Sequence, residues 1–199
     1  MVYGIFKRTG DIVFAAAALV LSLPFWIWAM LAILLTDGWP FLYPQTRVGR
    51  KGRVFRIYKF RSMIRDAERG VGAVFSQRDD PRVTRVGRIM RKSAIDEIPQ
   101  LLNILRGDMS WVGPRAARPE EVAQYLQQLP NYHLRHQVRP GLTGLAQVWG
   151  SDYDDIREKL AYDLRYVRER SLWVDIELYV KSWANTLLGR WDAARRRGQ

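Results

Sequence analysis

Cysteine is absent from this 199-residue chain. Disulfides, thiolate zinc sites and cysteine nucleophiles are thereby excluded. Histidine occurs only as His133 and His136. A His-x-x-His pair can ligate a metal from one helix face, but no third strong ligand lies close by in sequence, so both read as ordinary surface or core histidines. Acidic side chains are scarce beside basic ones, 20 against 32, leaving a formal net charge of +12 and a pI near 10.4. That balance favours phosphates, nucleic acid or the anionic face of a bilayer without choosing among them. Internal repeats and low-complexity tracts are missing too, and the length suits one compact domain with a modest core.

What is present starts with an apolar run. From Ile12 to Leu35 there is no charged residue, which meets the length of roughly 20 residues that a membrane span requires. The run is too long for the core of a signal peptide, and no small-x-small cleavage site follows Leu35. Pro24 sits mid-run with Ser22 just before it; the proline removes a helical hydrogen bond and predicts a kink or break at membrane depth. Lys7 and Arg8 precede the run and a very basic segment, Arg47 to Arg69, follows it. The positive-inside bias therefore draws both flanks to the cytoplasm. A hairpin that dips in and returns satisfies both flanks; a proline-kinked spanning helix with a short outer N-terminus is the other reading, and the residues alone leave the two open.

Further along, Gln45–Gly49 and Arg53–Phe60 flank a Lys51-Gly52 turn, and the alternation of the second arm predicts a β-hairpin. Asp79-Asp80-Pro81 is a turn signal. Val86, Ile89, Met90 and Ile95 then suggest a short amphipathic helix whose basic face holds Arg85, Arg88, Arg91 and Lys92. A helix is expected from Pro99 to Arg106, stopped by Gly107, and another from Pro119 to Leu129. Arg139 to Gly144 reads as a rigid loop, and the pattern is helical again from Asp154 onward. Leu172 to Leu188 carries Trp173, Tyr179 and Trp183 among aliphatics, which fits either a headgroup boundary or a core helix, and Arg195, Arg196 and Arg197 add a basic tail.

Asp96-Glu97 falls near a helix start beside Arg91 and Lys92, where the positive helix end and the cations favour ionised carboxylates. An aspartate so placed can act as a nucleophile, yet an isolated Asp-Glu pair at such a position is more often a cap. Its surroundings argue for chemistry. Lys59 with Arg61, then Arg91, Arg115 and Arg139, come from several separate segments, and each can bind a phosphate oxygen. Gly113-Pro114-Arg115 and Arg139-Pro140-Gly141 set an arginine beside a stiff turn, which limits the entropy lost on binding an anion. The plainer reading of these arginines is a solvated basic face near acidic lipids.

Several blocks occur in order: Lys59-Phe60-Arg61-Ser62-Met63; Asp96-Glu97-Ile98-Pro99-Gln100-Leu101 with Asn103; Gly107-Asp108-Met109-Ser110; Val112-Gly113-Pro114-Arg115; and Arg139-Pro140-Gly141-Leu142-Thr143-Gly144 with Ala146-Gln147-Val148. Together they resemble the bacterial sugar transferase family, the monotopic polyprenyl-phosphate phosphoglycosyl transferases, over nearly the whole chain. The size resembles the minimal catalytic form of that family. Two departures stand out: Leu23 intervenes between Ser22 and Pro24, and Ala116-Ala117 follows Arg115 where the family commonly has proline.

The resemblance implies a mainly α fold with a small β-hairpin. Residues 1–40 would form a re-entrant membrane helix-break-helix with Ser22 and Pro24 at the break. Residues 41–199 would form a catalytic domain, with interfacial amphipathic helices, on the cytoplasmic face of a bacterial inner membrane. Asp96 would attack the β-phosphate of a UDP-sugar, releasing UMP and keeping a phosphosugar that polyprenyl phosphate, undecaprenyl phosphate in a bacterium, then accepts. Mg²⁺ held at Asp96 and Glu97 would neutralise the diphosphate, with Glu97 either orienting the metal or assisting proton removal. Lys59, Arg61, Arg91, Arg115 and Arg139 would hold phosphate oxygens, with Thr143 and Gln147 as substrate-binding candidates and Asp163 and Tyr166 near the site or in packing. Beyond the substrates and membrane lipids, a second copy of the chain and downstream glycosyltransferases are candidate partners. The blocks do not name the sugar.

Two rival readings differ in class. A non-catalytic membrane scaffold would treat Asp96-Glu97 as a cap. A nucleic-acid binder is suggested by charge alone, lacks a reading motif and leaves the apolar run unexplained.

Overall fold

A computed structural model of the chain describes residues 2–67, 80–150 and 155–187. Arg69, Asp79, Asp154, Leu188 and the Arg195, Arg196 and Arg197 tail lie outside them. Helices dominate, with two small two-stranded sheets between them.

The apolar run forms two helices, α1 (Val2–Leu21) and α2 (Leu23–Thr36), which meet at Ser22 with a bend of 57°. Pro24 falls in the first turn of α2, where its missing N–H leaves no partner unsatisfied. The Ser22 hydroxyl donates to the Leu19 carbonyl at 3.0 Å, so the intervening Leu23 does not separate the serine from the broken turn. Among the described residues no single helix is long and apolar enough to cross a membrane; the bent pair reaches that measure together.

Both ends of the pair return to the rest of the protein. Near the start of α1, Lys7 pairs with Asp175 at 2.9 Å and Arg8 donates to the carbonyls of Ile104 and Leu105 at 2.6 and 2.9 Å. One turn on, buried Asp11 accepts from the Ser110 hydroxyl at 3.0 Å and the Trp111 N–H at 3.1 Å. At the end of α2, Ile33 is fully buried and Arg61 donates to the carbonyls of Asp37 and Gly38 at 2.8 and 2.6 Å. Between these moorings the bend presents exposed Val20, Leu21, Leu23 and Phe25.

The hairpin is β1 (Leu42–Val48) against β2 (Val54–Phe60), in antiparallel register from Leu42 opposite Phe60 to Val48 opposite Val54. Lys51 and Gly52 both take positive φ in the turn, as the sequence signal requires. The free edge of β2 is held by a side chain. Asn103, fully buried on α4 (Gln100–Arg106), accepts from the Tyr58 N–H at 3.1 Å and donates to the Arg56 carbonyl at 2.7 Å.

The second sheet was not expected. β3 (Ser110–Val112) runs parallel to β4 (Gly141–Thr143), so the predicted rigid loop is partly a strand. Its glycines have a packing reason. A Cβ on Gly141 would sit 2.1 Å from the Gly113 nitrogen, and one on Gly113 would sit 2.4 Å from the Arg139 carbonyl oxygen. The two motif segments thus touch backbone to backbone, which only glycine allows.

The helix α3 (Arg85–Lys92) starts at Thr84, whose hydroxyl accepts from the Gly87 N–H at 3.0 Å, and Gly107 in the left-handed region (φ 90°) stops α4. Ile95 belongs to the next turn and Ile89 is 57% exposed, so the apolar face of α3 is narrower than the periodicity suggests. The remaining helices are α5 (Pro119–Gln128), α6 (Leu145–Trp149), α7 (Ile156–Glu169) and α8 (Leu172–Leu187). On α8 Leu178 is buried in the core, as the core-helix reading expects, while Trp173, Ile176, Val180 and Trp183 are exposed. The main core joins Ala15 of α1 to Ile57, Leu101, Ile104, Met109, Trp111, Tyr166 and Leu178.

Candidate active site

A tight reversal places the acidic pair. After α3 ends, Ala94 takes φ 56°, a left-handed conformation costing an alanine about 1–2 kcal/mol, and the chain enters a 3₁₀ turn over Ile95–Glu97. Asp96 is thereby turned inward and is 8% exposed. Its carboxylate makes no hydrogen bond or ion pair with the described residues.

Glu97 has the opposite surroundings. Its Oε1 receives Lys59 Nζ at 2.8 Å and Arg115 Nη2 at 2.5 Å. Burial alone would raise its pKa, but Arg115 and Lys59 outweigh it and hold the carboxyl well below the usual range. For Asp96 burial wins: its pKa is pushed up to about 6, with the charge of Glu97 adding to the rise and Lys59, Arg91 and Arg115 opposing it. The expectation that helix end and cations favour both carboxylates as anions is corrected here. The cations pair with Glu97, and desolvation governs Asp96. Two adjacent acids with pKa values driven apart are suited to different tasks.

Each cation arrives by its own route. Lys59 follows Tyr58, whose backbone Asn103 grips from α4, so one asparagine fixes the reach from hairpin to dyad. Arg115 extends from the Gly113–Gly141 contact and is bridged in register with Gly141. Arg91, in the last turn of α3, donates from Nε to the Ser62 hydroxyl at 2.8 Å.

The other residues singled out in the sequence form no hydrogen bond or ion pair with the dyad. Arg61 is buried at the end of α2, with Nε and Nη1 lacking a hydrogen-bond partner. Arg139 donates to the Gly107 carbonyl at 2.8 Å, and burial, with Arg8 and Arg50 nearby, lowers its pKa. Thr143 is buried on β4 with an unpartnered hydroxyl; Gln147 donates to the Leu142 carbonyl at 3.2 Å and keeps a buried, unpartnered Oε1. Asp163 pairs with Arg135 at 2.7 Å, and the Tyr166 hydroxyl lies 2.7 Å from Asp175 Oδ1 and 3.0 Å from the Val112 carbonyl. Arg135 and Asp175 were missed from sequence. Asp175 stood in the sequence only as one of two acids, with Glu177, among the apolar residues of α8. His136 is partly buried, and burial lowers its pKa to about 4.

Among the described residues no group of three or more histidine, cysteine or acidic side chains could hold a metal. An all-protein cage is therefore not available at the dyad. Mg²⁺ commonly takes one or two carboxylates together with substrate phosphates, and Asp96, buried and unpartnered, fits that smaller demand.

A family model described as bacterial sugar transferase matches residues 2–189. The chain belongs to that family. Among curated relatives, the UDP-N-acetylgalactosamine-undecaprenyl-phosphate N-acetylgalactosaminephosphotransferase of Aeromonas hydrophila is 43% identical over 94% of this chain and 45% of its own length. The UDP-glucose:undecaprenyl-phosphate glucose-1-phosphate transferase of Caulobacter vibrioides is 45% identical over 88% of this chain and 67% of its own length. An exopolysaccharide production protein of Rhizobium leguminosarum is 40% identical over 87% of this chain and 91% of its own length. The chain thus spans about half to two thirds of the first two relatives. As a bacterial sugar transferase it carries, within the blocks named from its sequence, the dyad with Asn103, Lys59, the Gly113–Arg115 turn and the Arg139–Gly144 segment whose contacts are described above.

Proposed function

We propose that this chain is a phosphoglycosyl transferase that moves a sugar-1-phosphate from a UDP-sugar to polyprenyl phosphate and initiates a surface glycan or exopolysaccharide. The observation that carries the proposal is the buried, unpartnered Asp96 beside a Glu97 already neutralised by Lys59 and Arg115. An aspartate without a counterion is a better nucleophile than one whose lone pairs are engaged.

In the first step an Asp96 carboxylate oxygen attacks the β-phosphorus, the P–O bond to the α-phosphate breaks and UMP leaves with the bond's electrons. In the second a phosphate oxygen of the polyprenyl carrier attacks the same phosphorus, forming a diphosphate bond and releasing the Asp96 carboxylate. Lys59, Arg91 and Arg115 hold phosphate oxygens through both steps, each where charge develops. Asp96 and Glu97 would be the carboxylates that hold Mg²⁺, which would supply charge neutralisation for the diphosphate.

The membrane reading rests on the moorings. Lys7, Arg8 and Asp11 fix the start of α1 and Arg61 fixes the end of α2 to the same body, which favours a re-entrant hairpin that enters and leaves on the cytoplasmic face. That topology lets one site meet a soluble nucleotide sugar and a lipid phosphate.

The test incubates purified protein with a panel of UDP-sugars, Mg²⁺ and undecaprenyl phosphate and measures UMP. Release that requires Asp96 supports the reading; undiminished release from Asp96→Asn sinks the covalent route.

A further inference from the structure

Arg135 is buried, 6% exposed, and uses its guanidinium on three groups from three places in the chain. Nη1 donates to the Tyr132 hydroxyl at 2.5 Å, while Nη2 donates to the Arg115 carbonyl at 2.7 Å and meets Asp163 Oδ2 of α7 at 2.7 Å. The guanidinium carbon also lies 4.9 Å from the centre of the Tyr132 ring. A buried ion pair is weak evidence for stability, since well-packed apolar residues of similar volume serve as well or better. The retained charges here have another consequence. The charge-assisted hydrogen bond fixes the peptide plane of Arg115.

The Arg115 guanidinium, on a side chain 38% exposed, meets Glu97 at 2.5 Å. The backbone that carries it is pinned on one side by the Gly141 N–H donating to the Pro114 carbonyl at 3.0 Å and on the other by Arg135.

We infer that Arg135, with Asp163 as its counterion, is a positioning residue that aims Arg115 at Glu97. The inference deepens the transferase reading and rests on it for its kinetic consequence, though not for its geometric one. It also gives Asp163 a definite task, three contacts removed from the dyad by way of Arg135 and Arg115.

The test replaces the buried pair together, as Arg135→Met with Asp163→Leu, so that neither charge is stranded. The melting temperature should stay within about 5 °C of the parent. UMP release at saturating UDP-sugar should fall about tenfold or more per folded molecule, and in an Arg115→Lys background the same pair should cost less than about twofold further. A readout free of catalysis accompanies it. Glu97→Gln should lower the unfolding midpoint about half as much in the paired variant as in the parent, because the Glu97–Arg115 contact is already loosened. If the parent releases no UMP from any UDP-sugar, the transferase reading fails and the unfolding cycle alone decides the positioning. An unchanged Glu97→Gln effect, or full activity in the paired variant, overturns the inference. Should the paired variant not fold, Tyr132→Phe, which removes one acceptor from Arg135, carries the same cycle with the same opposing outcomes.

Discussion

Asp96 and Glu97 are neighbours in the chain, yet Glu97 Oε1 takes Lys59 at 2.8 Å and Arg115 at 2.5 Å while Asp96 pairs with neither. The two cations therefore stabilise the anion that is not the proposed nucleophile. Burial outweighs the pull of Lys59, Arg91 and Arg115 on Asp96 and makes it the less stable charge and the more reactive one.

In the free protein the Asp96 pKa is raised from 3.8 to about 6 by burial. Attack needs the carboxylate, so kcat/KM for UMP release should climb with pH through an acid limb centred near pH 6. A limb centred below about pH 4.5 would show that Asp96 is ordinary.

The same shift has a stability sign. A carboxyl whose folded pKa lies above its unfolded value contributes stability that is fully present below the unfolded value of 3.8 and lost as pH rises through about 6. Asp96→Asn should therefore abolish UMP release while raising stability at pH 7.5 by up to about 3 kcal/mol, a gain that fades below pH 4. Urea midpoints at the two pH values measure it, and a loss at pH 7.5 would contradict the burial argument.

Glu97→Gln removes the anion that Lys59 and Arg115 share. With Arg115 partly exposed, the loss should be about 2 kcal/mol, less than for a fully buried pair. The freed cations and the missing negative neighbour should both lower the Asp96 pKa. The acid limb of whatever activity survives should then move to lower pH, and a move upward would disprove this electrostatic account.

Gly141→Ala would drive a methyl to 2.1 Å from the Gly113 nitrogen. Separating the two segments should destabilise the protein by about 3 kcal/mol. Activity per folded molecule should fall as well, since Arg115 leaves from that contact; thermal unfolding beside UMP release distinguishes the two losses.

The natural absence of cysteine makes topology directly measurable. Val2→Cys and Lys51→Cys, both at exposed positions, can be labelled one at a time in sealed vesicles with an impermeant maleimide. A re-entrant hairpin places both on one side. Labelling from opposite sides would establish a spanning helix instead.

How much could be read beforehand follows from where each signal resides. The stop at Gly107, the Pro119 start, the break near Pro24 and the Lys51-Gly52 turn are local, and each stands where its residue chemistry put it. The β3–β4 pair is three residues on each side, too short for alternation to register, and its evidence was two glycines far apart in sequence. Asn103 was visible as part of a block, but its grip on Arg56 and Tyr58 was not, because an asparagine does not announce which backbone it will hold. The same holds for the site: the dyad and its basic company were legible as residue types. Their allocation was not, since it depends on the side toward which Ala94 turns the chain.

One consequence of the α1 moorings concerns anyone wishing to handle this protein in water. Cutting away the first 40 residues would not free a soluble enzyme from a tether. It would pull Ala15 from the main core, leave Asp175 without Lys7, uncap the carbonyls of Ile104 and Leu105 and orphan Ser110 and the Trp111 amide. The losses at Ile104, Leu105, Ser110 and Trp111 fall on α4, which carries Asn103, and on β3, which leads into Arg115. The bent helix pair is a wall of the workshop, and its outward face is the place to redraw it.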